Sequence, residues 1–202
     1  MLAQTTRHRY ARGEVIFHDG DPADAVHLID RGRVAVRITT PTGDTATLDV
    51  LGARAVLGEL ALMPPRAPRS ATAVALEPTH TLTLAASAFD ELCRVHPATV
   101  TVLLEILAIR HRELNRRLVE ALYLPVETRV IRRLLDVADQ NGENGKAPAP
   151  LPLTQDDLAS LAGTTRESAN RVLRRLAEQK LIALARGSVT VLDHDCLTRR
   201  AH

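Results

Sequence analysis

Two groups of residues have the types and the spacing of a binding site. In the first, Gly58 and Glu59 are followed by Arg69 and Ser70, with Arg69 ten positions after Glu59. Glycine lets a ligand approach the backbone, a guanidinium offers a planar fork to a phosphate, and a serine hydroxyl adds a donor. A glutamate can accept hydrogen bonds from a sugar. These residues predict a site for an anionic ligand, but on residue types alone an internal Glu59–Arg69 salt bridge is the simpler interpretation.

The second group has the spacing of a helix-turn-helix. Thr154 and Asp157 resemble a capping box, with aspartate in the place of glutamate, and mark the start of a helix. The run 163–165 then predicts a sharp turn, and a second helix is predicted from Arg166 to about Gln179. Small residues stand where the two helices must cross closely: Ala159, Gly163 and Ala169.

The start of the second helix carries residue types that can read base pairs. Thr165 is predicted to cap this helix, which places Arg166 and Glu167 in its first turn and Arg171 further along. A guanidinium can donate two parallel hydrogen bonds to guanine, and a carboxylate can accept one from cytosine. Other residues are placed to contact phosphates without reading sequence: Thr154, Thr164, Ser168 and Arg186.

A short β-hairpin is predicted after this helix. Leu181–Ile182 and Ser188–Leu192 have strand-like composition, and residues 185–187 form the turn between them. Such a hairpin is the wing of a winged helix-turn-helix. A helical hairpin of purely structural purpose is the alternative, but the helix-turn-helix spacing together with the wing favours DNA binding.

One long helix is predicted between these two groups. It runs from Pro97 to about Tyr123, and Pro125 ends it because the residue before a proline is disfavoured in the helical region. Two rows of mostly apolar residues along this helix are typical of a coiled-coil seam. The rows are Val100, Leu107, Leu114 and Ala121, and Leu104, His111 and Leu118. A helix buried within one domain is the alternative, but the many arginines and glutamates beside the seam favour a dimer.

The first half of the chain has the pattern of a small β domain. Short runs alternate with turn signals, which predicts a β-barrel or sandwich followed by a short helix over Ala86–Val95. Beyond the long helix, an amphipathic helix is predicted over 125–138 and a surface loop over 139–152. The predicted strands are Val15–Ile16, Ala25–Ile29, Val34–Thr39, Thr45–Leu51, Thr72–Leu76 and Thr81–Leu84.

Composition narrows the class of protein. The net charge of +2 is unevenly distributed. Residues 1–109 contain ten arginines and twelve acidic residues, whereas residues 110–202 contain sixteen basic and twelve acidic residues. A basic second half indicates nucleic acid weakly. Neither a membrane span nor a signal peptide is evident, so a cytoplasmic protein is expected. Cys93 and Cys196 match no metal spacing, and the few aromatic residues disfavour base stacking.

The order of these parts resembles the cyclic-AMP receptor protein (CRP/FNR) family of bacterial transcription regulators, from about Tyr10 to Leu192. The resemblance is carried by the Gly-Glu and Arg-Ser pairs, the long helix and the run Arg166–Arg171. It implies an α+β chain with an N-terminal β-roll sensor domain (a double-stranded β-helix) over 1–96. A dimerisation helix over 97–124 and a winged helix-turn-helix domain over 125–202 would follow.

The resemblance also implies a function. It implies a homodimer, not an enzyme, that binds palindromic double-stranded DNA with TGTGA-like half-sites and contacts RNA polymerase. Gly58 and Glu59 would hold the ribose of a cyclic nucleotide such as cyclic AMP, and Arg69 and Ser70 its phosphate. Leu60 is also predicted to contact the effector. The family's adenine-reading pair falls at Leu114–Asn115, where Asn115 can hydrogen-bond a purine and the leucine cannot. The N-terminal cysteines of the family's oxygen sensors are absent.

Other functions remain to be weighed against this one. An always-active regulator of the same family would pair Glu59 and Arg69 internally and need no effector. A second alternative is a cyclic-nucleotide-binding module that does not bind DNA, but the helix-turn-helix spacing in the C-terminal part of the chain argues against it. A β-barrel metalloenzyme of the cupin kind would need clustered ligands, whereas His18, His27 and His80 are scattered singly.

Overall fold

The computed structural model describes residues 5–40, 43–63, 66–140 and 149–201. The predicted α+β order of a β-roll, a long helix and a winged helix-turn-helix is confirmed. The strands are β1 (Thr5–Tyr10), β2 (Val15–Phe17), β3 (Ala25–Arg31), β4 (Val34–Thr39), β5 (Thr45–Leu51), β6 (Val56–Leu57), β7 (Thr72–Ala75), β8 (Thr79–Ala85), β9 (Pro150–Leu151), β10 (Ile182–Ala185) and β11 (Ser188–Val191). The helices are α1 (Ala86–Val95), α2 (Ala98–Tyr123), α3 (Val126–Asp139), α4 (Gln155–Leu161), α5 (Arg166–Glu178) and α6 (His194–Arg200).

The β-roll consists of two four-stranded antiparallel sheets. Their strand orders are β1-β8-β3-β6 and β2-β7-β4-β5. Because successive side chains of a strand point to opposite faces, each sheet can bury one row of apolar residues. Both sheets contribute to a buried cluster, Ile29, Val34, Leu57 and Ala73. A separate cluster joins the first sheet to α1 and α2 through Val26, Phe89 and Leu103.

Two strands of the β-roll escaped the sequence prediction, and so did β9, which pairs with β11 inside the predicted loop 139–152. β1 pairs with β8 along its whole length, from Thr5 opposite Leu84 to Tyr10 opposite Thr79. Its middle residues are exposed, so it carries no row of apolar side chains that would reveal a strand. β6 is only two residues long and pairs with β3. Backbone pairing with a neighbouring strand, rather than local composition, defines both elements.

The predicted long helix is confirmed as α2, which has 26 residues. One side of α2 faces its own β-roll, where Leu103 is buried. The other side leaves Leu104, Leu114 and Leu118 57%, 60% and 59% exposed. Of the residues in the predicted seam, Val100 and Leu107 are instead half-buried. The exposed apolar side of α2 therefore includes Leu104, Leu114 and Leu118 of the predicted seam, but Val100 and Leu107 turn partly toward the protein.

The C-terminal unit packs against the second sheet. Ala35, Val50 and Leu76 of the β-roll join the apolar core formed by α3, α4 and α5. Asp157 of α4 accepts hydrogen bonds from Arg37 at 2.8 Å and from the Thr47 hydroxyl at 2.9 Å. The predicted capping box between Thr154 and Asp157 is confirmed. One aspartate thus caps a helix and fastens it to the sheet.

Two sequence predictions lie partly outside the described residues. Residues 141–148 of the predicted loop 139–152 and the pair 64–65 before Arg69 are not described. Within the described residues no single helix is long and apolar enough to cross a membrane. Helices α1 and α2, which meet at a bend of 111°, would together meet that requirement by length and composition. No group of three potential metal-ligating side chains occurs in the described part of the chain.

Candidate functional site

The turn after β6 is built around Gly58. Its φ is +81°, in the left-handed region that favours glycine. A Cβ atom placed on Gly58 would lie 2.2 Å from Nη1 of Arg69, which is closer than two non-bonded atoms can approach. The position therefore needs glycine both for its backbone angle and for the space that the Arg69 side chain occupies.

Arg69 is 3% exposed and is bound mainly by main-chain carbonyls. Its Nη1 donates to the Gly58 carbonyl at 2.9 Å, and its Nη2 donates to the Ala25 carbonyl at 2.6 Å. Nη2 also lies 3.2 Å from the exposed Asp24 carboxylate, and the guanidinium carbon lies 4.3 Å from the centre of the Phe17 ring. The buried Nε has no hydrogen-bond partner among the described residues. Arg69 therefore keeps one unused donor beside a glycine turn.

Glu59 does not form the internal salt bridge with Arg69 that the sequence suggested. Its side chain is 2% exposed and pairs with Arg110 of α2. Arg110 also donates to the Val56 carbonyl in β6. Arg110 follows the apolar Leu103 by seven residues, so both lie on the same side of α2, and this spacing is the signal that the sequence contained. In the structure Leu103 is buried on that side. The Glu59–Arg110 pair links the candidate pocket to the long helix.

Arg117 makes a second link between α2 and the β-roll. It donates to the Leu48 carbonyl and to the Asp49 carboxylate of β5, both at 2.9 Å. Burial alone would lower the pKa of Arg117, but the charges of Asp49 and Glu113 raise it above its ordinary value. Arg110 and Arg117 are two helical turns apart and hold α2 against both sheets.

His27 lies buried near this pocket. Its Nδ1 is 3.2 Å from the Thr83 hydroxyl, and its ring centre is 5.8 Å from that of Phe17. Burial, and secondly the positive charge of Arg69, lower the pKa of His27 from 6.5 to about 4. The imidazole is therefore neutral at physiological pH and adds no positive charge beside Arg69.

The turn of the helix-turn-helix is held by Arg129 of α3. Its Nη1 donates to the carbonyls of Ala162 and Gly163 at 2.7 and 2.9 Å. Gly163 has a φ of +58°, which allows the sharp turn that its position predicted. Thr165 caps α5 by accepting a hydrogen bond from the Ser168 N–H at 3.2 Å, as predicted. Arg129 was not identified from the sequence.

Helix α5 has one buried and one exposed side. The buried side consists of Ala169, Val172, Leu173 and Leu176. Arg166, Glu167 and Arg171 are exposed, as is Arg174, which the sequence did not single out. Arg166 lies 3.4 Å from Asp156, whereas no acidic side chain in the described ranges pairs with Arg171 or Arg174. Two unpaired guanidiniums therefore project from the outer side of this helix.

The residues predicted to contact phosphates are placed differently from one another. Thr154 is engaged in the cap of α4, where its hydroxyl donates to Asp157 at 2.7 Å. Ser168 accepts a hydrogen bond from the Thr165 hydroxyl at 3.1 Å and keeps its own hydroxyl proton. Thr164 is half-buried, and Arg186 is exposed in the turn between β10 and β11. Arg12 of the β-roll donates to the Gly187 carbonyl beside it at 2.8 Å.

Comparison with known proteins agrees with this arrangement. The cyclic nucleotide-binding domain model matches residues 7–96, and the Crp-like helix-turn-helix domain model matches residues 128–200. The chain is 30% identical over 194 residues to the CRP-like cAMP-activated global transcriptional regulator of Mycobacterium tuberculosis, covering 95% of this chain and 86% of that protein. The chain belongs to the CRP/FNR family. It is a transcriptional regulator with a cyclic-nucleotide-binding domain and a DNA-binding helix-turn-helix.

Other CRP/FNR proteins share the sequence and the fold. The cyclic AMP receptor protein of Thermus thermophilus is 35% identical over 192 residues, covering 95% of this chain and 86% of that protein. A solved CRP-family regulator from Thermus thermophilus has a TM-score of 0.78 at 26% identity, covering 96% of both chains. FixK2 from Bradyrhizobium japonicum has a TM-score of 0.81 at 18% identity, also covering 96% of both chains, and shows the fold alone.

In this CRP/FNR chain, the predicted effector residues do not all meet. Gly58, Glu59 and Arg69 lie together, with Arg110 as a fourth member. Ser70 and Leu60 are exposed. Asn115 is exposed on α2, with its amide nitrogen 3.1 Å from His111, rather than in contact with this group. Within one chain, the structure thus brings together the ends of the site predicted for phosphate and ribose.

Proposed function

We propose that this CRP/FNR regulator is a homodimer that joins along α2 and presents two α5 helices to a palindromic, TGTGA-like DNA site. The main support for this proposal is the orientation of α5. Its buried side fixes the helix in the domain, and Arg166, Glu167 and Arg171 lie on the exposed side. Contact with RNA polymerase and a cytoplasmic location accompany this role by family resemblance.

The dimer proposal rests on the exposed apolar side of α2. Leu104, Leu114, Leu118 and Leu122 are each more than half exposed. At intervals of ten, four and four residues these leucines fall on one side of the helix, and an exposed apolar side is typical of a helix that packs against another helix. A palindromic site requires two readers related by a two-fold axis, which such a pairing supplies.

The chemistry of α5 assigns separate roles to its residues. Arg171 has both edges of its guanidinium available for guanine, while Arg166 must exchange its contact with Asp156 for one with DNA. Glu167 can accept from cytosine. Thr154 donates its only hydroxyl proton to Asp157, so we assign phosphate contacts to Thr164, Ser168 and Arg186 instead.

Arg171→Ala is expected to lower affinity for each half-site by roughly ten- to a hundredfold, because one good bidentate contact is worth about 1–3 kcal/mol. The preference at one base position should relax at the same time. Selection from a random DNA library measures both effects. Arg186→Ala should instead weaken all sequences alike and reduce the slope of affinity against salt.

Arg94→Ala is the matched control, since Arg94 is an exposed arginine on α1 whose one ion pair among the described residues is with Glu91. It should leave both the affinity and the selected sequence unchanged. If Arg166→Ala and Arg171→Ala both select the same DNA sequence as the wild type, α5 does not read the DNA.

For the effector, we propose a cyclic nucleotide whose phosphate contacts Arg69 and Ser70 and whose ribose contacts Gly58 and Glu59. Supporting this are the unused Nε of the buried Arg69 and the glycine turn whose carbonyl accepts a hydrogen bond from the same guanidinium. When bound, the ligand would compete with Arg110 for Glu59, which connects the pocket to α2. Asn115 would reach the base only if it came from the partner subunit, because it is exposed on its own chain.

The rival candidate is an always-active regulator. It is favoured by one observation: Glu59 is already paired with Arg110, and both terminal nitrogens of Arg69 already donate to acceptors of the β-roll. The charges of the pocket are therefore largely satisfied within the chain itself. Such a protein would bind DNA tightly and specifically without any nucleotide.

Ser70→Ala separates these candidates without disturbing the fold, because Ser70 is exposed whereas Arg69 is buried. Loss of one hydrogen bond to a charged phosphate, worth about 1.5–3 kcal/mol, should weaken cyclic-nucleotide binding by roughly ten- to a hundredfold in calorimetry. Ser87→Ala, at an exposed serine of α1, should have no effect. Specific DNA binding that neither cyclic AMP nor cyclic GMP alters would establish the rival.

A further inference from the structure

A buried carboxylate lies where the long helix meets the DNA-binding unit. Glu120, in the last turn of α2, is 4% exposed. Three guanidiniums contact it: Arg116 from α2, and Arg132 and Arg133 from α3, the last two at 2.7 and 2.5 Å. Glu113 and Asp136 surround the same arginines. We call these six residues the Glu120 cluster.

The Glu120 cluster lies on α2 and α3 and is also connected to the end of α6. Arg133 also contacts Asp136 at 3.1 Å, and Arg116 contacts Glu113 at 2.6 Å. Arg132 donates twice, at 2.9 and 2.7 Å, to the carbonyl of Ala201, just after the end of α6. A single buried carboxylate is therefore connected to the end of α2, to α3 and to the last helix of the DNA-binding unit.

The main chain does not by itself determine the angle between α2 and α3. α2 ends at Tyr123 and α3 begins at Val126, so only Leu124 and Pro125 join them. The ring of Pro125 restricts one backbone angle, but the remaining angles of this short joint are set by contacts between side chains. The Glu120 cluster supplies contacts directly across that joint.

Burying these charges is not an efficient source of stability. Taking ions out of water costs several kcal/mol each, and buried ion networks often contribute little net stability. Burial lowers the pKa of Arg133 and raises the pKa of Asp136, so each pays a desolvation cost within the fold. What a satisfied network does supply is a defined geometry, because its hydrogen bonds are directional.

We propose that Glu120 is a positioning residue that sets the angle between the dimerisation helix and the DNA-reading unit, and thereby the half-site spacing that the dimer accepts. This inference rests on the proposed function, in which two α5 helices read one palindrome. Adding one base pair between half-sites moves the second by about 3.4 Å and rotates it by about 34°. If the joint between α2 and α3 is rigid, the dimer loses affinity when the spacer changes. If the joint is flexible, the two DNA-reading units can adjust to the new spacer and the affinity changes less.

The test measures affinity for an isolated half-site and for palindromes whose spacer is lengthened or shortened by one and two base pairs. The wild type should prefer one spacer by at least tenfold. Glu120→Gln keeps the shape of the side chain but removes its charge, and should reduce this preference to about threefold or less. Its affinity for the isolated half-site should stay within about twofold of the wild type. Glu120→Asp, which keeps the charge, should retain more of the preference.

A second variant and a control separate positioning from folding. Arg132→Met removes the links to Glu120 and Ala201 from a side chain that is 25% exposed, and should give the same loss of spacer preference. If Glu120→Gln does not fold, Arg132→Met decides the question. Glu105→Gln, at an exposed residue of α2, should behave as the wild type does.

Two results would overturn the inference alone. In the first, the folded variants keep the spacer preference of the wild type. In the second, half-site and palindrome affinities fall in parallel, which indicates a purely structural role. A wild-type protein that binds no palindrome at any spacer would overturn the proposed function and this inference together.

Discussion

Replacing Leu114 and Leu118 together with glutamate is expected to convert the dimer to monomers and to lower affinity for the palindrome by about 10²–10⁴-fold. Both leucines are about 60% exposed, and they lie one helical turn apart on α2. In a dimer through this side, the substitutions would place like charges in an apolar contact that excludes water. The loss of affinity follows because two linked half-site contacts become two separate ones.

Sedimentation velocity at micromolar concentration gives the oligomeric state, and a gel shift with the palindrome gives the affinity. Val95→Glu is the matched control, since Val95 is 52% exposed but lies at the end of α1, outside α2. That variant should remain dimeric. A wild-type protein that sediments as a monomer, or a double variant that remains a dimer, would contradict the proposed interface.

Gly58→Ala is expected to lower the free energy of unfolding by about 2–5 kcal/mol. The backbone angle of +81° costs an alanine about 1–2 kcal/mol. The added Cβ would also meet Nη1 of Arg69 at 2.2 Å, so the guanidinium must move from the Gly58 carbonyl to which it donates. Leaving this partly buried carbonyl without its donor costs about a further 1–3 kcal/mol. Urea denaturation of the wild type and the variant measures the difference.

Gly13→Ala isolates the backbone contribution. Gly13 has a similar φ of +84°, but no atom lies within 4 Å of the position that a Cβ would occupy. This variant should therefore lose only about 1–2 kcal/mol. Equal losses for the two variants would show that Arg69 does not occupy the space next to Gly58 in the folded protein.

Much of the local structure followed from the sequence. The caps at Thr154 and Thr165 and the end of the long helix before Pro125 were predicted, and the structure confirms them. These features depend on residues within a few positions of one another, so their chemistry is readable along the chain. β1 was missed because its exposed, polar residues give no periodic apolar signal, and only its pairing with β8 makes it a strand.

Partners in the folded protein could not be read in the same way. Glu59 pairs with Arg110, 51 residues away, rather than with Arg69, which is close in sequence. A chain with 26 lysines and arginines offers many possible partners for one carboxylate, and only the packing of α2 on the β-roll selects among them. Arg117 and Arg129 likewise bind groups that are distant in sequence: Arg117 binds Asp49, and Arg129 binds the carbonyls of Ala162 and Gly163.

The sequence by itself determined the order of the parts, the side of α5 that faces outward and the family to which the chain belongs, because periodicity, caps and turns are local properties. Tertiary structure alone decided that Arg69 donates to the carbonyls of Gly58 and Ala25, and that Glu120 lies buried among three arginines. Those outcomes depend on which helices and sheets approach one another. A buried charge without a partner is costly, so each buried charged group pairs with the oppositely charged or polar group that the fold brings next to it.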